Sequence, residues 1–406
     1  MANIALIHYS APPVVGGVES VIGHQARLMT EGGHAVCVIA GRGEPFDPRV
    51  RFEKVPLVDS RHADILQVKS ELDRGKVPDR FQVLVLEIMR DLESALDGSD
   101  ILIAHNVCSL NKNLPLTAAL RQFTKKHKRI QSLLWHHDLA WTTPRYRAEL
   151  HDGFPWDLLK QAWPGVRQVT VSEARRAELA ALQKIAQDQI LVVPNGIDAQ
   201  EFLNLDEQTR KLIRQMDLAG ASPILLLPVR ITPRKNIELA LETLAEIRKA
   251  FPEARLVVTG PLGPHNPANQ NYFDSLLTLR KKLGLNEAAH FLAELTSEFL
   301  PDRVIADFYR MADALFYPSR EEGFGIPVLE AGLAGVPVFC ADIPPLKDLG
   351  GDHAIYFSPD APPDQVAAKI VGSLKTSRVF GLRSAVRKNY SWERVYAQKI
   401  APLLVI

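Results

Sequence analysis

The chain has 406 residues, which at about 150 residues per domain indicates two or three folded domains. Apolar residues make up 46% of it and charged residues 23%, as in ordinary globular proteins, so wholesale disorder, collagen and coiled coils are excluded. The 48 basic and 47 acidic side chains leave a net charge of +1, so nucleic acid is not an expected partner.

The first half of the chain alternates short apolar runs with helical periodicity. This pattern is typical of strand and helix units around a parallel sheet. The predicted strands cover residues 4–7, 35–40, 101–104, 130–134, 166–171 and 190–193, and predicted helices include residues 19–30 and 173–186. The first half is therefore predicted to be a doubly wound, Rossmann-like domain.

A turn at Pro194, Asn195 and Gly196 interrupts this alternation, and a second series follows it. The predicted strands of that series cover residues 224–227, 256–259, 314–317, 336–340 and 355–357. We assign residues 1–196 to one domain, 197–385 to a second, and 386–406 to a C-terminal helix able to pack back on the first. The expected fold is α/β, with two Rossmann-like sheets facing across a ligand-binding cleft.

The sequence pattern favours neither an export signal nor a membrane span. Cys37, Cys108 and Cys340 are far apart in sequence, which favours reduced core thiols over a disulfide set or a metal site. The first apolar run follows no basic segment and is interrupted by His8, and no run approaches the roughly 18 apolar residues of a membrane span. We therefore expect a cytoplasmic protein without an integral membrane segment.

A glycine pair, Gly16 and Gly17, follows the first predicted strand and opens a helix. Glycine lets the backbone approach a ligand closely, and free amides at a helix start favour an anion. The segment is not G-x-G-x-x-G, and no acidic residue ends the second strand, so a dinucleotide site is disfavoured. We interpret the pair as a candidate phosphate loop, with a purely structural turn as the alternative.

Polar side chains follow the strand predicted at residues 130–134. His137 and Asp138 stand at its carboxyl end, where parallel sheets build their sites. His136 is displaced by one residue and is expected on the opposite face of the strand. Zinc binding by this cluster lacks a third ligand at metal-site spacing and remains an alternative, as does a buried structural histidine.

Two arginines come next, on a loop marked by Pro144. If this loop is extended, Arg145 and Arg147 share one side while Tyr146 lies on the other, an arrangement suited to an anionic acceptor. Simple exposure of both arginines is the alternative. The basic run at residues 125–129 closes a helix, where cations complement the helix dipole, and membrane attraction is the minority interpretation.

In the second half, Arg230 and Lys235 directly follow the strand at residues 224–227. Fixed cations at a strand end suit a diphosphate, because arginine offers a planar fork and lysine a point charge. Arg234 lies between them and is expected to be solvated. The chain has no D-x-D triplet to hold a divalent cation, so we expect protein cations to replace a metal, with no cofactor.

A glycine-rich loop after the strand at residues 314–317 carries two carboxylates. Pro327 is expected at the first helical position, which places Glu330 on the first turn and Glu322 on the loop, both facing one cavity. Carboxylates accept paired hydrogen bonds from vicinal hydroxyls, and glycine amides suit phosphate or sugar oxygens. Together these groups indicate a nucleotide sugar as the ligand.

Glu322 and Glu330, with seven residues between them, resemble the E-x7-E signature of retaining GT-B glycosyltransferases, the family 4-like or group 1 glycosyl transferases. Residues 16–19, 193–198 and 334–338 also resemble segments of that family, so the resemblance covers nearly the whole chain. It implies transfer of a hexosyl group, with retention, from a UDP- or GDP-sugar to a hydroxyl acceptor.

The resemblance also implies residue roles. The implied catalytic residues are His137, Glu322, Arg230 and Lys235. The implied donor contacts are Gly16, Gly17, Arg230, Lys235, Glu322, Gly323, Phe324, Gly325, Ile326 and Glu330, with Glu330 on the ribose and Glu322 on the sugar. The implied acceptor contacts are His137, Asp138, Arg145 and Arg147, in the N-terminal domain.

The expected acceptor is a small hydroxylated molecule that carries a phosphate or carboxylate, as for sucrose-phosphate synthases. One alternative is a glycosyltransferase that builds membrane lipids or polysaccharides. Another is a protein that binds a nucleotide sugar without turning it over.

Overall fold

The computed structural model describes residues 1–262, 268–296 and 300–405, which form two compact units. The first unit holds residues 1–196 and 392–405, and the second holds residues 197–391. The division after Gly196 lies where the predicted series of strands is interrupted. The boundary predicted at residue 385 is wrong, because residues 386–389 complete the helix Arg378–Asn389 of the second unit.

The first unit is built on a seven-stranded parallel sheet. Its strands are β1 (Asn3–Ser10), β2 (Ala35–Arg42), β3 (Arg51–Lys54), β4 (Ile101–His105), β5 (Gln131–His136), β6 (Arg167–Thr170) and β7 (Ile190–Val192), in the order β3-β2-β1-β4-β5-β6-β7. Its longer helices are α1 (Gly17–Glu31), α2 (Ala63–Leu72), α3 (Asp79–Ala95), α4 (Leu114–Lys126) and α5 (Glu173–Gln183). The six predicted strands of this half are confirmed.

Both faces of this sheet are buried. Along β1, Ala5 and Ile7 belong to one apolar cluster while Ile4 and Leu6 belong to another. Successive side chains of a strand point to opposite faces, so a strand covered on both faces is apolar throughout. This explains why short continuous apolar runs located the strands correctly.

The C-terminal segment packs on the first unit. It consists of a short helix, Trp392–Val395, a π-helical turn, Tyr396–Ile400, and a 3-10 turn, Ala401–Leu404. Trp392 and Ile400 are buried in the apolar cluster on one face of the sheet. Gln131 Nε2 also donates a hydrogen bond of 2.9 Å to the Leu403 carbonyl.

The second unit is built on a six-stranded parallel sheet. Its strands are β8 (Ile224–Leu227), β9 (Arg255–Val258), β10 (Ala289–Phe291), β11 (Ala314–Tyr317), β12 (Val338–Ala341) and β13 (Ile355–Phe357), in the order β10-β9-β8-β11-β12-β13. Its helices are α6 (Ala199–Phe202), α7 (Glu207–Gln215), α8 (Ile237–Ala250), α9 (Ala268–Lys282), α10 (Leu292–Leu295), α11 (Asp302–Met311), α12 (Ile326–Leu333), α13 (Pro344–Gly350), α14 (Pro363–Thr376) and α15 (Arg378–Asn389).

The strand order of each sheet reverses at one point, between β1 and β4 in the first unit and between β8 and β11 in the second. Doubly wound sheets bind ligands outside the carboxyl ends of the strands at such a point. The loops that follow these four strands are therefore the places where each unit is expected to build a site.

The three cysteines are free and buried, as predicted for core thiols. Burial raises the pKa of the Cys340 thiol to about 12. Among the residues that the structure describes, no helix is both long enough and apolar enough to cross a membrane.

Candidate active site

In the second unit, the loop after β8 is fastened to the loop after β11. Pro233–Lys235 forms a single 3-10 turn, and Asn236 follows in the left-handed region with φ 54°. Asparagine tolerates this conformation better than most residues. Its side-chain amide donates hydrogen bonds of 3.2 Å to the Pro318 carbonyl and 2.9 Å to the Pro359 carbonyl. These contacts fix the position of Lys235 at the carboxyl edge of the sheet.

Lys235 and Glu322 form an ion pair with little solvent exposure. The Lys235 Nζ lies 2.5 Å from the Glu322 Oε1, and the side chains are 8% and 7% exposed. Burial lowers the pKa of Lys235, and the carboxylate of Glu322 only partly opposes this. Burial also acts to raise the pKa of Glu322, but Lys235 and the hydroxyls of Tyr317 and Ser319 lower it overall. Glu322 is therefore a carboxylate at neutral pH.

The ion pair lines a cavity of about 600 Å³ together with Arg230 and Arg234. Arg230 makes no ion pair with any residue that the structure describes. Arg234 donates a hydrogen bond of 3.2 Å to the Glu321 carbonyl, and one of its nitrogens lies 3.9 Å from the Glu322 carboxylate. Arg234 is exposed, as predicted, and is also part of the cavity wall.

Glu330 lines an adjoining cavity of about 300 Å³. The two cavities share five residues in their walls, Pro228, Val229, Arg230, Ile326 and Pro327, so Glu322 and Glu330 line neighbouring parts of one continuous depression. The helix α12 begins at Ile326, so Pro327 is its second residue and Glu330 lies on its second turn rather than its first. The Tyr309 hydroxyl donates a hydrogen bond of 2.7 Å to the Glu330 Oε2.

The start of α12 depends on glycine. Gly325 has φ 102°, and a Cβ there would lie 2.5 Å from a methyl carbon of Leu346. The backbone amides of Phe324, Gly325 and Ile326 have no hydrogen-bond acceptor among the described residues. All three residues line the larger cavity, and binding of ligand oxygens by their amides stays a prediction. Gly323 is exposed, and a Cβ there would meet no other atom within 4 Å.

In the first unit, His137 follows β5 and contacts a second histidine at the end of β4. The His137 Nε2 lies 3.2 Å from the His105 Nδ1. The Asn106 Oδ1 accepts hydrogen bonds from the backbone amides of His137, at 2.7 Å, and Asp138, at 3.1 Å. Burial, together with the nearby His8 and His136, lowers the pKa of His137 to about 3. His137 is therefore neutral at physiological pH.

His136 has a different environment, as predicted for the opposite strand face. Its Nε2 lies 2.7 Å from the Gln168 Oε1, and burial lowers its pKa to about 4. Within the described residues of the first unit, no three histidine, cysteine or acidic side chains bring ligand atoms within 4.8 Å of one another. The zinc alternative for His136, His137 and Asp138 thus gains no third ligand.

The glycine pair is confirmed as the start of a helix, since α1 begins at Gly17. The carboxylate of Glu19 folds back against it, and a Cβ on Gly16 would clash with the Glu19 Oε2. The Ser10 hydroxyl donates a hydrogen bond of 2.6 Å to the Glu19 Oε1. The structure therefore places a protein carboxylate at the helix start that was predicted to bind phosphate.

The segment with the two arginines is not extended. Pro144–Glu149 forms a 3-10 helix, in which residues two apart point in different directions around the axis. Both arginines are exposed, and Arg145 lies over the Tyr146 ring at 4.7 Å from its centre. The prediction that Arg145 and Arg147 share one side is therefore wrong, because Pro144 starts a helical turn instead of a strand.

Three residues of these sites were missed by the sequence analysis: His105, Asn106 and Tyr309. Asn106 directly follows a strand at the reversal point of the sheet, and that position is a signal that could have found it. Tyr309 lies on α11 and belongs to no motif, so only the fold reveals its contact with Glu330.

Comparison with protein families gives two matches that together span most of the chain. Residues 15–201 match the family described as Glycosyltransferase Family 4. Residues 208–389 match the family described as Glycosyl transferases group 1.

Among curated proteins, the mannosylglucosylglycerate synthase of Petrotoga mobilis is 26% identical, over 85% of this chain and 83% of that protein. The MMP alpha-(1->4)-mannosyltransferase of Mycolicibacterium hassiacum is 24% identical, over 98% and 97% of the two chains. Among solved structures, the sucrose-phosphate synthase of Thermosynechococcus elongatus aligns with 17% identity and a TM-score of 0.39, over 98% and 97% of the two chains.

Proposed function

This chain belongs to the glycosyltransferases, with a family 4 first half and a group 1 second half, and on that premise we propose its reaction. It transfers a hexosyl group from a nucleoside diphosphate sugar to a hydroxyl acceptor, with retention at the anomeric carbon. The observation that carries this proposal is the pair of adjoining cavities in the second unit, with Arg230 in their shared wall, Glu330 in the smaller cavity and Glu322 in the larger.

Each of the two cavities binds a different end of the donor. Glu330 lines the smaller cavity, where its carboxylate accepts hydrogen bonds from the ribose hydroxyls. Arg230 lies in the wall common to both cavities and binds the diphosphate. Glu322, in the larger cavity, binds hydroxyls of the transferred sugar, while the free amides at the start of α12 bind phosphate or sugar oxygens.

In the proposed reaction, the bond between the anomeric carbon and the diphosphate oxygen breaks, and its electron pair goes to that oxygen. The acceptor oxygen forms the new bond on the same face of the sugar, and its proton passes to the departing diphosphate. Arg230 and Lys235 stabilise the negative charge that grows on the leaving group. These cations supply the positive charge that a metal ion would otherwise provide. Glu322 binds the transferred sugar and does not act as a nucleophile.

The first unit supplies the acceptor side of the proposal. His137 and Asp138 are held at a strand end by Asn106, so their backbone positions are fixed. Arg147 is exposed nearby in sequence and is the proposed contact for an anionic acceptor. Gly16 and Gly17 remain proposed phosphate contacts on resemblance alone, since Glu19 lies at that helix start.

Mannosyl transfer is the first specificity to test. The two curated relatives described above carry mannosyl in their names, and so does the O-antigen chain mannosyltransferase B of Escherichia coli, which is 26% identical over 68% of this chain. We propose a GDP- or UDP-hexose as the donor, with a mannosyl donor tried first, and a small hydroxylated acceptor.

The test crosses UDP- and GDP-hexoses with sugar, sugar phosphate and sugar acid acceptors. Mass spectrometry detects the product, and proton NMR of the early product gives its anomeric configuration. We expect release of nucleotide with a retained configuration, and no product from the Lys235→Ala variant. Donor binding without turnover across the whole panel would instead identify a non-catalytic nucleotide-sugar-binding protein, and an inverted product would contradict the retaining mechanism.

A further inference from the structure

A buried histidine, His105, and a partly buried one, His137, form a hydrogen-bonded pair in the first unit that the proposed reaction does not yet use. His105, at the end of β4, is 0% exposed, and its Nδ1 lies 3.2 Å from the His137 Nε2. Burial lowers the pKa of both rings, that of His137 to about 3. Both imidazoles are therefore neutral at pH 7, and each carries one N–H proton.

The remaining nitrogen of His105 decides where these protons lie. The His105 Nε2 is buried and has no hydrogen-bond partner among the described residues. A proton on this atom would be a buried, unpaired N–H group, which folded proteins rarely contain. The proton of His105 therefore belongs on Nδ1, where it has an acceptor in the His137 Nε2.

We propose that His105 is a positioning residue that fixes His137 as the tautomer with its proton on Nδ1. Because the His137 Nε2 accepts a hydrogen bond from His105, its own proton must lie on Nδ1. The His137 Nδ1 is not among the buried unpartnered atoms, and no described residue bonds to it, so it is accessible to a ligand. Asn106, which follows His105 directly, holds the His137 backbone through its side chain.

This assignment determines what His137 does in the reaction, and in that respect it rests on the proposed function. An N–H group at Nδ1 donates a hydrogen bond to a substrate oxygen and is unable to accept the acceptor's proton. His137 thus orients a substrate and is not a general base. The proton of the acceptor then passes to the departing diphosphate, as the proposed reaction requires.

The first test reads the tautomers directly. In the full chain labelled with ¹⁵N on histidine, two-bond ¹H–¹⁵N correlations at pH 7.5 distinguish protonation at Nδ1 from protonation at Nε2. We expect the Nδ1-protonated pattern for both His105 and His137. Protonation of His137 on Nε2 would overturn the inference. No substrate is present, so this result is independent of whether the chain proves to be a transferase.

The second test compares two substitutions at His105. His105→Asn keeps an N–H donor near the position of Nδ1, whereas His105→Asp offers only acceptors and forces the His137 proton onto Nε2. We expect the Asn variant to keep most of the kcat of the parent. In the Asp variant we expect kcat to fall at least about tenfold and the His137 proton to lie on Nε2. His136→Gln, which removes a different buried imidazole, is the matched control for folding.

Equal loss of kcat in the Asn and Asp variants, with native circular dichroism, would contradict the positioning role. If the Asp variant does not fold, the tautomer measurement on the unmodified chain still decides. Absence of any transferase activity would remove the proposed reaction and leave that measurement unaffected.

Discussion

The Lys235 Nζ lies 2.5 Å from the Glu322 Oε1, so two side chains assigned to different parts of the donor also contact each other. Lys235 follows β8 and Glu322 follows β11, the two strands at which the order of the second sheet reverses. The ion pair therefore joins the two loops of the proposed site. Its members have a structural role in addition to any role in catalysis.

Replacing Lys235 by Ala should destabilise the second unit, because it leaves the carboxylate of Glu322 with little solvent and only the more distant Arg234, at 3.9 Å, as a cation. We expect the free energy of unfolding to fall by about 1.5–3 kcal/mol, as for loss of a hydrogen bond to a charged group. It should recover in part when Glu322 is also replaced by Ala. Urea unfolding followed by far-UV circular dichroism measures this.

Tryptophan fluorescence is an internal control, since all five tryptophans lie in the first unit. The matched variant is Lys249→Ala, which removes an exposed ion pair with Glu246 and should cost at most about 1 kcal/mol. A double variant as unstable as the sum of its single changes would show that the pair contributes no coupling.

Replacing Glu330 by Ala should weaken binding of the free nucleoside diphosphate by roughly ten- to a hundredfold, because ribose hydroxyls lose a charged acceptor. Isothermal titration calorimetry measures the dissociation constant. Tyr309→Phe should have a smaller effect, since it removes only the 2.7 Å hydrogen bond that orients the carboxylate. An unchanged affinity in Glu330→Ala, equal to that of the exposed neighbour variant Glu321→Ala, would refute the ribose assignment.

The strands could be predicted from the sequence because burial on both faces makes them apolar throughout. All four residues of β8 are buried, for example, and the run at residues 224–227 was located to the residue. The edge strand β3 was missed, since its sequence, Arg-Phe-Glu-Lys, has three charged residues in four and none of them is fully buried. Charged residues on an edge strand prevent it from pairing with strands of other chains. Because such a strand has no apolar run, a search for apolar runs does not detect it.

The site was predictable where a motif is local and unpredictable where contacts join distant elements. Glu322 and Glu330 were found through their spacing, but the start of α12 was misplaced because Gly325 caps the helix in a left-handed conformation. The contacts of His105 with His137 and of Tyr309 with Glu330 join residues 32 and 21 positions apart. Sequence periodicity does not predict contacts between residues so far apart, so these two contacts could be identified only from the structure.

The buried histidines of the first unit should make its stability depend on pH. Burial lowers the pKa of His136 to about 4 and that of His137 to about 3, from 6.5. Below pH 6.5 the unfolded chain binds protons that the folded unit does not, so stability falls as the pH is lowered from about 6.5 to 5. Each such histidine lowers the free energy of unfolding by at most about 1.4 kcal/mol for each pH unit below 6.5.

Urea unfolding of the first unit, followed by tryptophan fluorescence at pH 7.5, 6.5, 5.8 and 5.2, checks this dependence. His136→Gln keeps a polar partner for Gln168 and removes one titrating ring, so its stability should depend less steeply on pH. If the free energy of unfolding depends on pH equally steeply in the variant and the parent, His136 is already protonated in the folded chain, against the direction of its pKa shift.

Addition of EDTA should leave transferase activity unchanged, because Arg230, Lys235 and the open amides at the start of α12 take the electrostatic part of a metal ion. Initial rates with and without EDTA, and with added Mg²⁺ or Mn²⁺, measure this. The Arg230→Ala variant should respond to chelator no more than the parent. Full inhibition by EDTA that a divalent cation reverses would refute the metal-free reaction.

Arg145 and Arg147 should differ in their effect on the acceptor. They lie two positions apart in the 3-10 helix Pro144–Glu149, so they are not on one side of it. Arg145 is engaged with the Tyr146 ring, which packs on the core of the first unit, whereas Arg147 has no ion pair with the described residues. Arg147 is therefore the arginine of this pair that we propose as a contact for an anionic acceptor.

Replacing Arg147 by Ala should raise the acceptor KM by about tenfold, as for loss of a charge-assisted hydrogen bond, with donor hydrolysis unchanged. Arg145→Ala should instead lower the stability of the first unit by about 0.5–1 kcal/mol, through loss of its contact with Tyr146, and change the KM little. Arg147→Lys, which keeps the charge, should recover part of the affinity. Equal increases of KM in the two alanine variants would favour a joint clamp on one anion, and no increase in either would mean that both arginines are only solvated.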